Sequence, residues 1–379
     1  MKAIVALPAV ILAAGALSRP ARAQCHQPAE LNATSPAGQL LQHAEQETDN
    51  TKKLALLEQF ATQYPQHKAA GWVDEQLLGL YVTTQQPDKA LAMGDKLSAM
   101  PPPCVEDAQN TLKAAEMKKD PDLVLKWSAA TAQLAQKVMA SPQPQDPDAV
   151  ADWKTRVDYA RQVNTYTEYS LYAMALKTTD PAKQVALLEA LQQRNPKSPY
   201  LAQAGVTLFL AYQKSGQTDK AAAFAQKLAA SGQADEDMLL VLVNDAAKNK
   251  DGEKVHDYSA KLEQLLNSKP KPAGLSDADW DKRKNTILGV TYSLDGKQYF
   301  NEDKLEPANE DLRKSLPLVQ EDTALKTEVL FYLGLANYKM EKIQDAATYF
   351  KECAAVRGPF QEQALKNLRI IHSKYRGVR

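Results

Sequence analysis

The chain has 379 residues, with 46 Lys plus Arg against 46 Asp plus Glu, so its formal net charge at pH 7 is zero. That balance excludes the electrostatic footprint of a nucleic-acid binder or of a protein held to an anionic membrane by charge. Ala, Leu, Gln and Lys dominate while runs of Val, Ile and Thr are scarce, so helix is favoured nearly everywhere.

Residues 1–23 read as a secretory signal. Lys2 supplies a positive end, Ala3 to Leu17 is apolar apart from Pro8 and Gly15, and Ala21-Arg22-Ala23 has the form of an A-x-A cleavage site. The stretch is too short for a membrane span, and no later stretch is apolar enough for one. Cys25 follows Gln24, where a lipobox requires a small residue, so an exported soluble chain is expected in preference to a lipoprotein. Residues 24–35 are expected to be a flexible segment, 36–375 the folded part and 376–379 a basic tail. The three cysteines, Cys25, Cys104 and Cys353, are too few and too scattered for a disulfide framework. A Cys25–Cys104 bridge is open in an oxidising compartment, and Cys353 reads as a small buried hydrophobe.

The folded part repeats itself. Residues 40–134 recur as 171–265 at a constant offset of 131 residues. Ala55-Leu56-Leu57-Glu58 returns as Ala186-Leu187-Leu188-Glu189, and Asp88-Lys89-Ala90 as Asp219-Lys220-Ala221. Between Pro-rich breaks the apolar residues recur every three or four positions, the mark of amphipathic helices. Asp49, Asp88, Asp120, Asp180, Asp219 and Asp251 stand where N-caps or first turns belong. In chain order this predicts helical hairpins near 36–65, 68–100, 103–141, 147–196, 198–232, 234–269, 275–320 and 322–357, and a last helix from Pro359 to Tyr375. Three hairpins make one 131-residue period, and internal repeats of this size indicate stacked arrays.

At this period the chain resembles the tetratricopeptide repeat (TPR) family. Leu330, Leu333-Gly334, Ala336 and Tyr338, followed by Ala346, Phe350 and Cys353, carry the resemblance most clearly. Leu288-Gly289 and Tyr292 give the same signature, followed after an insertion by Ala308 and Leu312. Ala211-Tyr212, Gly216 and Ala221 match the middle of the motif, as do Tyr81 and Ala90. The family's first-helix Gly is replaced by Leu78 and Phe209, and its second-helix small residue by Leu97 and Leu228. The resemblance implies an all-α, right-handed α-solenoid of about eight hairpins with a C-terminal capping helix. Phe360, Ala364, Leu368 and Ile371 form the apolar face of that cap.

Chemistry has few footholds. His26, His43, His67, His256 and His372 are isolated, no Cys pair has metal spacing, and there is no phosphate loop or nucleophile elbow. No catalytic, cofactor or metal residue is therefore expected, and the reading is non-enzymatic. The resemblance implies that protein or peptide partners lie along the concave face lined by first helices. Carried over residue by residue, that face offers Trp72 and Glu75, then Gln203, Gln213 and Lys214, then Glu328, Phe331, Leu335, Tyr338 and Lys339. Val82, Thr83 and Val206 belong to the same rows. A second candidate surface is Tyr159, Tyr166, Tyr169 and Tyr172, whose rings suit sugars or peptides as well as packing between repeats. The expectation is an exported bacterial TPR-containing scaffold, periplasmic or secreted, binding a protein or peptide. A carbohydrate- or cell-wall-binding solenoid and an accessory subunit of an envelope enzyme complex are the alternatives.

Overall fold

The computed structural model describes residues 25–26 and 32–375, so the expected signal, most of the 24–35 segment and the basic tail lie outside the described residues. Among the described residues there are seventeen α-helices and no strand. They form two compact units, one ending at Ala211 and one starting at Tyr212.

The first unit contains α1 (Pro36–Gln46), α2 (Asn50–Gln63), α3 (Ala70–Thr83), α4 (Pro87–Ser98), α5 (Val105–Lys118), α6 (Pro121–Met139), α7 (Pro147–Lys177), α8 (Pro181–Arg194) and most of α9 (Pro199–Lys214). From α1 to α8 each helix packs on the next, and first helices also meet along the row, α3 on α5 and α5 on α7. The second unit holds α10 (Thr218–Ala230), α11 (Glu236–Lys248), α12 (Gly252–Ser268), α13 (Asp277–Asn301), α14 (Leu305–Ser315), α15 (Thr323–Lys339), α16 (Ile343–Ala354) and α17 (Gln361–Lys374). Its helices also pack consecutively, with α11 on α13 and α13 on α15. This is the connectivity of an α-solenoid, in which no hairpin buries its apolar face alone.

The duplication reappears in the helix ends. The second helices α2, α4 and α6 begin at 50, 87 and 121, and α8, α10 and α12 begin 131 residues later, at 181, 218 and 252. Asp49, Asp120 and Asp180 cap their helices by accepting from two backbone N–H groups each, and Asp251 accepts from Lys254 N. Asp88 and Asp219 sit in first turns, where a carboxylate meets the positive end of the helix dipole. Six inter-helix turns place the residue two before the second helix in the left-handed region: Gln85, Lys119, Gly216, Lys250, Asp303 and Glu341. In five of them the following N–H donates to a carbonyl five residues back, for example Gln86 N to Tyr81 O at 2.8 Å and Lys342 N to Asn337 O at 2.9 Å. This Schellman closure satisfies the orphan carbonyls at each first-helix end.

Hairpin packing trades volume between helices. Gly334 on α15 faces Phe350, sixteen residues later on α16, and a Cβ on it would stand 2.6 Å from that ring. Gly296 on α13 faces Leu312 in the same way, at 2.8 Å. In three other hairpins the sizes are exchanged at the same sixteen-residue spacing. Leu78, Leu112 and Val243 are buried on first helices, and Gly94, Ser128 and Ser259 are buried on the second helices. A close-packed gap accepts one large and one small group in either order.

The Gly296–Leu312 pair corrects the expected register of the seventh hairpin. Gly289 packs against Leu318 and Val319, in the 3-10 turn after α14 and just beyond it, and its carbonyl accepts from Ser315 Oγ at 2.7 Å. It does not face Ala308 and Leu312; Gly296 does. No insertion separates the two motif halves. The extra residues instead lengthen α13 at its N-terminal side, and Gly296 precedes Ala308 by the same twelve positions that separate Gly334 from Ala346.

Gly94 also sets the approach of the next hairpin. A Cβ there would stand 2.1 Å from Thr111 Oγ1, a fully buried group that donates to Asp107 O at 2.7 Å. Gly94→Ala should therefore lower stability by about 1–2 kcal/mol, because overpacking outweighs the better helix propensity. Gly79→Ala, whose Cβ would meet nothing within 4 Å, should raise it by about 0.5–1 kcal/mol. Urea midpoints of the two variants, shifted in opposite directions, check both.

Candidate functional site

The residues expected to line a partner surface fall into two groups. Trp72 and Glu75 are buried in α3, at 6% and 9% exposure, and Phe331 is buried among Tyr332, Phe350 and Phe360. Leu335 and Tyr338 are half-buried against the same cluster. Glu328 is tied to Lys297 at 2.6 Å, and Lys339 to Asp303 at 2.7 Å with its ammonium over the Phe300 ring. Gln203, Gln213 and Lys214 are exposed on α9.

The four tyrosines of α7 divide likewise. The Tyr159 hydroxyl donates to Gln109 Oε1 at 2.7 Å and the Tyr166 hydroxyl to Glu116 Oε2 at 2.5 Å, both on α5. Burial, reinforced for Tyr166 by Glu116, pushes both phenols above their usual range. These two hold α7 on the third hairpin, with Ala160 and Val163 packed against Val105 and Ala135. Tyr169 and Tyr172 instead turn toward Tyr200, at the start of α9. Their rings lie 5.8 and 5.4 Å from it, the second pair stacked at 21°. Tyr169 is 47% exposed, and Leu176 on α7 and Val206 on α9 are 48% and 50% exposed. Spacings of three, four and seven put Tyr169, Tyr172 and Leu176 on one helical stripe of α7, while on α9 Tyr200 and Gln203, and Gln203 and Val206, are neighbours at a spacing of three. The Tyr169–Tyr200–Tyr172 ring contacts thus join α7 to α9, and each helix carries one further exposed aliphatic side chain, Leu176 and Val206. Tyr200 and Leu176 were absent from the sequence-based surface, although their i+3 and i+7 spacing was readable.

A second constellation lies inside the first unit. The Cys25–Cys104 disulfide is formed, across 79 residues, and brings residues 25–26 over α3 and α5. A sulfur in this bond cannot also carry the thioether of a lipid anchor. His26 N donates to Glu75 Oε1 at 3.1 Å. His26, Glu75 and Asp107 each place a ligand-type atom within 4.8 Å of the others. Burial, and then the Asp107 charge, pushes the Glu75 carboxyl up to about 7. Burial, and then Glu106, pushes Asp107 up to about 7. In the sequence Glu75 and Asp107 lie 49 and 81 positions from His26. Only the fold brings them together.

Both shifts have the same sign for stability. The folded state favours the protonated acids, so their contribution is intact below the unfolded values near 4 and is lost as pH rises through about 7. Unfolding free energy should therefore fall between pH 4 and 7, by up to about 1.4 kcal/mol per pH unit for each carboxyl. Glu75→Gln with Asp107→Asn should flatten that slope in chemical denaturation run in chelator.

In the second unit His256 is held through Nδ1 by Asp295 and through Nε2 by Glu302 at 3.3 Å, and stacks on Tyr299 at 3.8 Å. Hydrogen bonds, chiefly from Gln298 and Lys304, hold Glu302 down at about 2. The network ties α12 to α13. Cys353 is buried, with its thiol donating to Thr327 O at 3.4 Å, and burial pushes it up to about 11.

No helix among the described residues is long and apolar enough to cross a membrane. No protein-family model matches the sequence, and no curated protein matches it. Among solved structures the chain is similar to the TPR domain of P58(IPK), with 13% identity over 90% of this chain and 100% of that one at a TM-score of 0.26. It is also similar to yeast Tom70, with 11% identity over 93% of this chain and 68% of that one at a TM-score of 0.31. At these values the likenesses carry no argument about what the chain binds, and the all-helical hairpin fold rests on the packing described above.

Proposed function

We propose that the chain is a non-enzymatic scaffold of the bacterial cell envelope that binds a protein or peptide through the first-helix surface of α7 and α9. The observation that carries this reading is the exposure of Tyr169, Leu176 and Val206 beside Tyr172 and Tyr200. Contiguous apolar surface on a folded protein marks an interaction site, and tyrosine supplies contact area at low entropy cost. Packed helices hold the rings in place before binding, which limits the ordering cost. An exported location is supported by the signal-like residues 1–23 and by the Cys25–Cys104 disulfide, which suits an oxidising compartment.

The test is a photo-crosslinking residue at position 169 or 206, with exposed Gln193 on second helix α8 as the control position. One protein captured from 169 and 206 but not 193, and lost with Tyr172→Ala, is the expected result. Equal capture from all three positions overturns the surface, and substrate turnover by the purified chain overturns the non-enzymatic reading. A cell-wall glycan reading is favoured by the exposed Tyr169–Tyr200–Tyr172 row, since phenol rings stack on sugars. Retention on purified glycan that disappears in Tyr169→Ala would replace the protein-partner reading with that one.

A further inference from the structure

Asp107 is 8% exposed, and its Oδ2 has no hydrogen-bond partner among the described residues. His26 Nε2, on a side chain 12% exposed, is buried and unpartnered in the same place. It lies 3.9 Å from Glu75 Oε1. Neither Glu75 nor Asp107 has a Lys or Arg ion-pair partner among the described residues, although Asp74, next in sequence to Glu75, is paired with Lys96 at 2.7 Å. Two carboxylates and an imidazole nitrogen therefore converge in a nearly dry space with acceptor capacity unused. Such groups normally find partners, and buried charge is normally paired or bound to metal.

We propose that His26 Nε2, Glu75 and Asp107 bind one divalent first-row cation of the zinc class. The donor set of one imidazole and two carboxylate oxygens is the nitrogen–oxygen mixture such ions accept. Bond lengths of about 2.1 Å in a tetrahedral site put donors about 3.4 Å apart. The 3.9 Å between His26 Nε2 and Glu75 Oε1 closes to that with a shift of about half an ångström. A dication neutralises the two clustered carboxylates and takes up both unpartnered atoms at once. Three protein ligands leave a fourth position for water, reached past the partly exposed edge of His26. The neighbouring Cys25 and Cys104 sulfurs are committed to each other, so the ligands in the oxidised chain are nitrogen and oxygen alone. The cation would act as a second staple beside the disulfide, joining residues 25–26 to α3 and α5.

The experiment uses the full oxidised chain, stripped with chelator, with zinc and cobalt(II) as probes. Calorimetry should show one zinc per chain with a dissociation constant near or below 1 µM (about the range for a three-ligand site) and a melting temperature raised by several degrees. Cobalt should give visible d–d bands without a thiolate charge-transfer band. Asp107→Asn and His26→Gln keep side-chain size and should each weaken zinc at least 100-fold, with circular dichroism confirming the fold. No zinc uptake at 100-fold excess over the expected constant, unchanged affinity in Asp107→Asn, or a sulfur charge-transfer band in the cobalt complex each overturns the site. Should a variant fail to fold, the wild-type stoichiometry and cobalt spectrum decide alone.

Discussion

Phe350→Ala is expected to destabilise the C-terminal hairpin by about 3–5 kcal/mol. The ring is 1% exposed and lies 5.9 Å from Phe331, which stacks on Phe360 at 5.1 Å. Its other side presses on Gly334, which has no side chain to fill the space the ring would leave. Alanine therefore opens a cavity that the hairpin cannot close, and the transfer and cavity costs add. The damage should reach α17, because Ala364 and Ile371 belong to the same buried cluster. It should not reach the first unit, since stacked repeats depend on nearest neighbours. Hydrogen exchange should accelerate across α15, α16 and α17 and remain unchanged in α3 and α4. A double-mutant cycle sharpens the point. Gly334→Ala alone should cost stability through its 2.6 Å clash with the ring, and should cost little once Phe350 is alanine. Additive effects would show that the two positions do not share one space.

Cys104→Ser is expected to cost about 2–4 kcal/mol, and a reducing agent should cost the wild-type chain the same. The bond closes a loop of 79 residues, long enough for a large reduction in unfolded-state entropy. It also secures residues 25–26, whose backbone N–H groups donate to the buried Glu75 carboxyl. Without the bond the Glu75 carboxyl loses the backbone donors that residues 25–26 supply. Urea midpoints with and without reductant should differ for the wild-type chain and coincide for Cys104→Ser. Equal midpoints for the oxidised wild type and the variant would remove the disulfide from the stability of the fold.

The helices and their consecutive packing within each unit were legible because period, caps and breaks agree. The 131-residue offset in the sequence is the offset in the helix starts, and the capping aspartates stand where their spacing put them. Volume complementarity was less visible. Leu78 looked like a departure from the family pattern until its burial was seen together with that of Gly94, sixteen residues on. Leu288-Gly289 carries the Leu-Gly pair of the motif, whereas the twelve-residue spacing from Gly296 to Ala308 is the physical signal of the glycine that packs on the second helix.

By itself the sequence determined the helices, their order, their pairing within each unit and the duplication, because these depend on local periodicity and on contacts between neighbouring elements. Only the tertiary structure decided which side chains are available for function. Trp72 and Glu75 share their repeat positions with exposed Gln203 and Val206, 131 residues on, and helix phase alone does not say what the next hairpin or residues 25–26 will cover. The meeting of His26, Glu75 and Asp107 beside a disulfide, and of Tyr169 and Tyr172 with Tyr200, joins residues tens of positions apart or on separate helices. Packing sets such distances, and no periodicity along the chain encodes them.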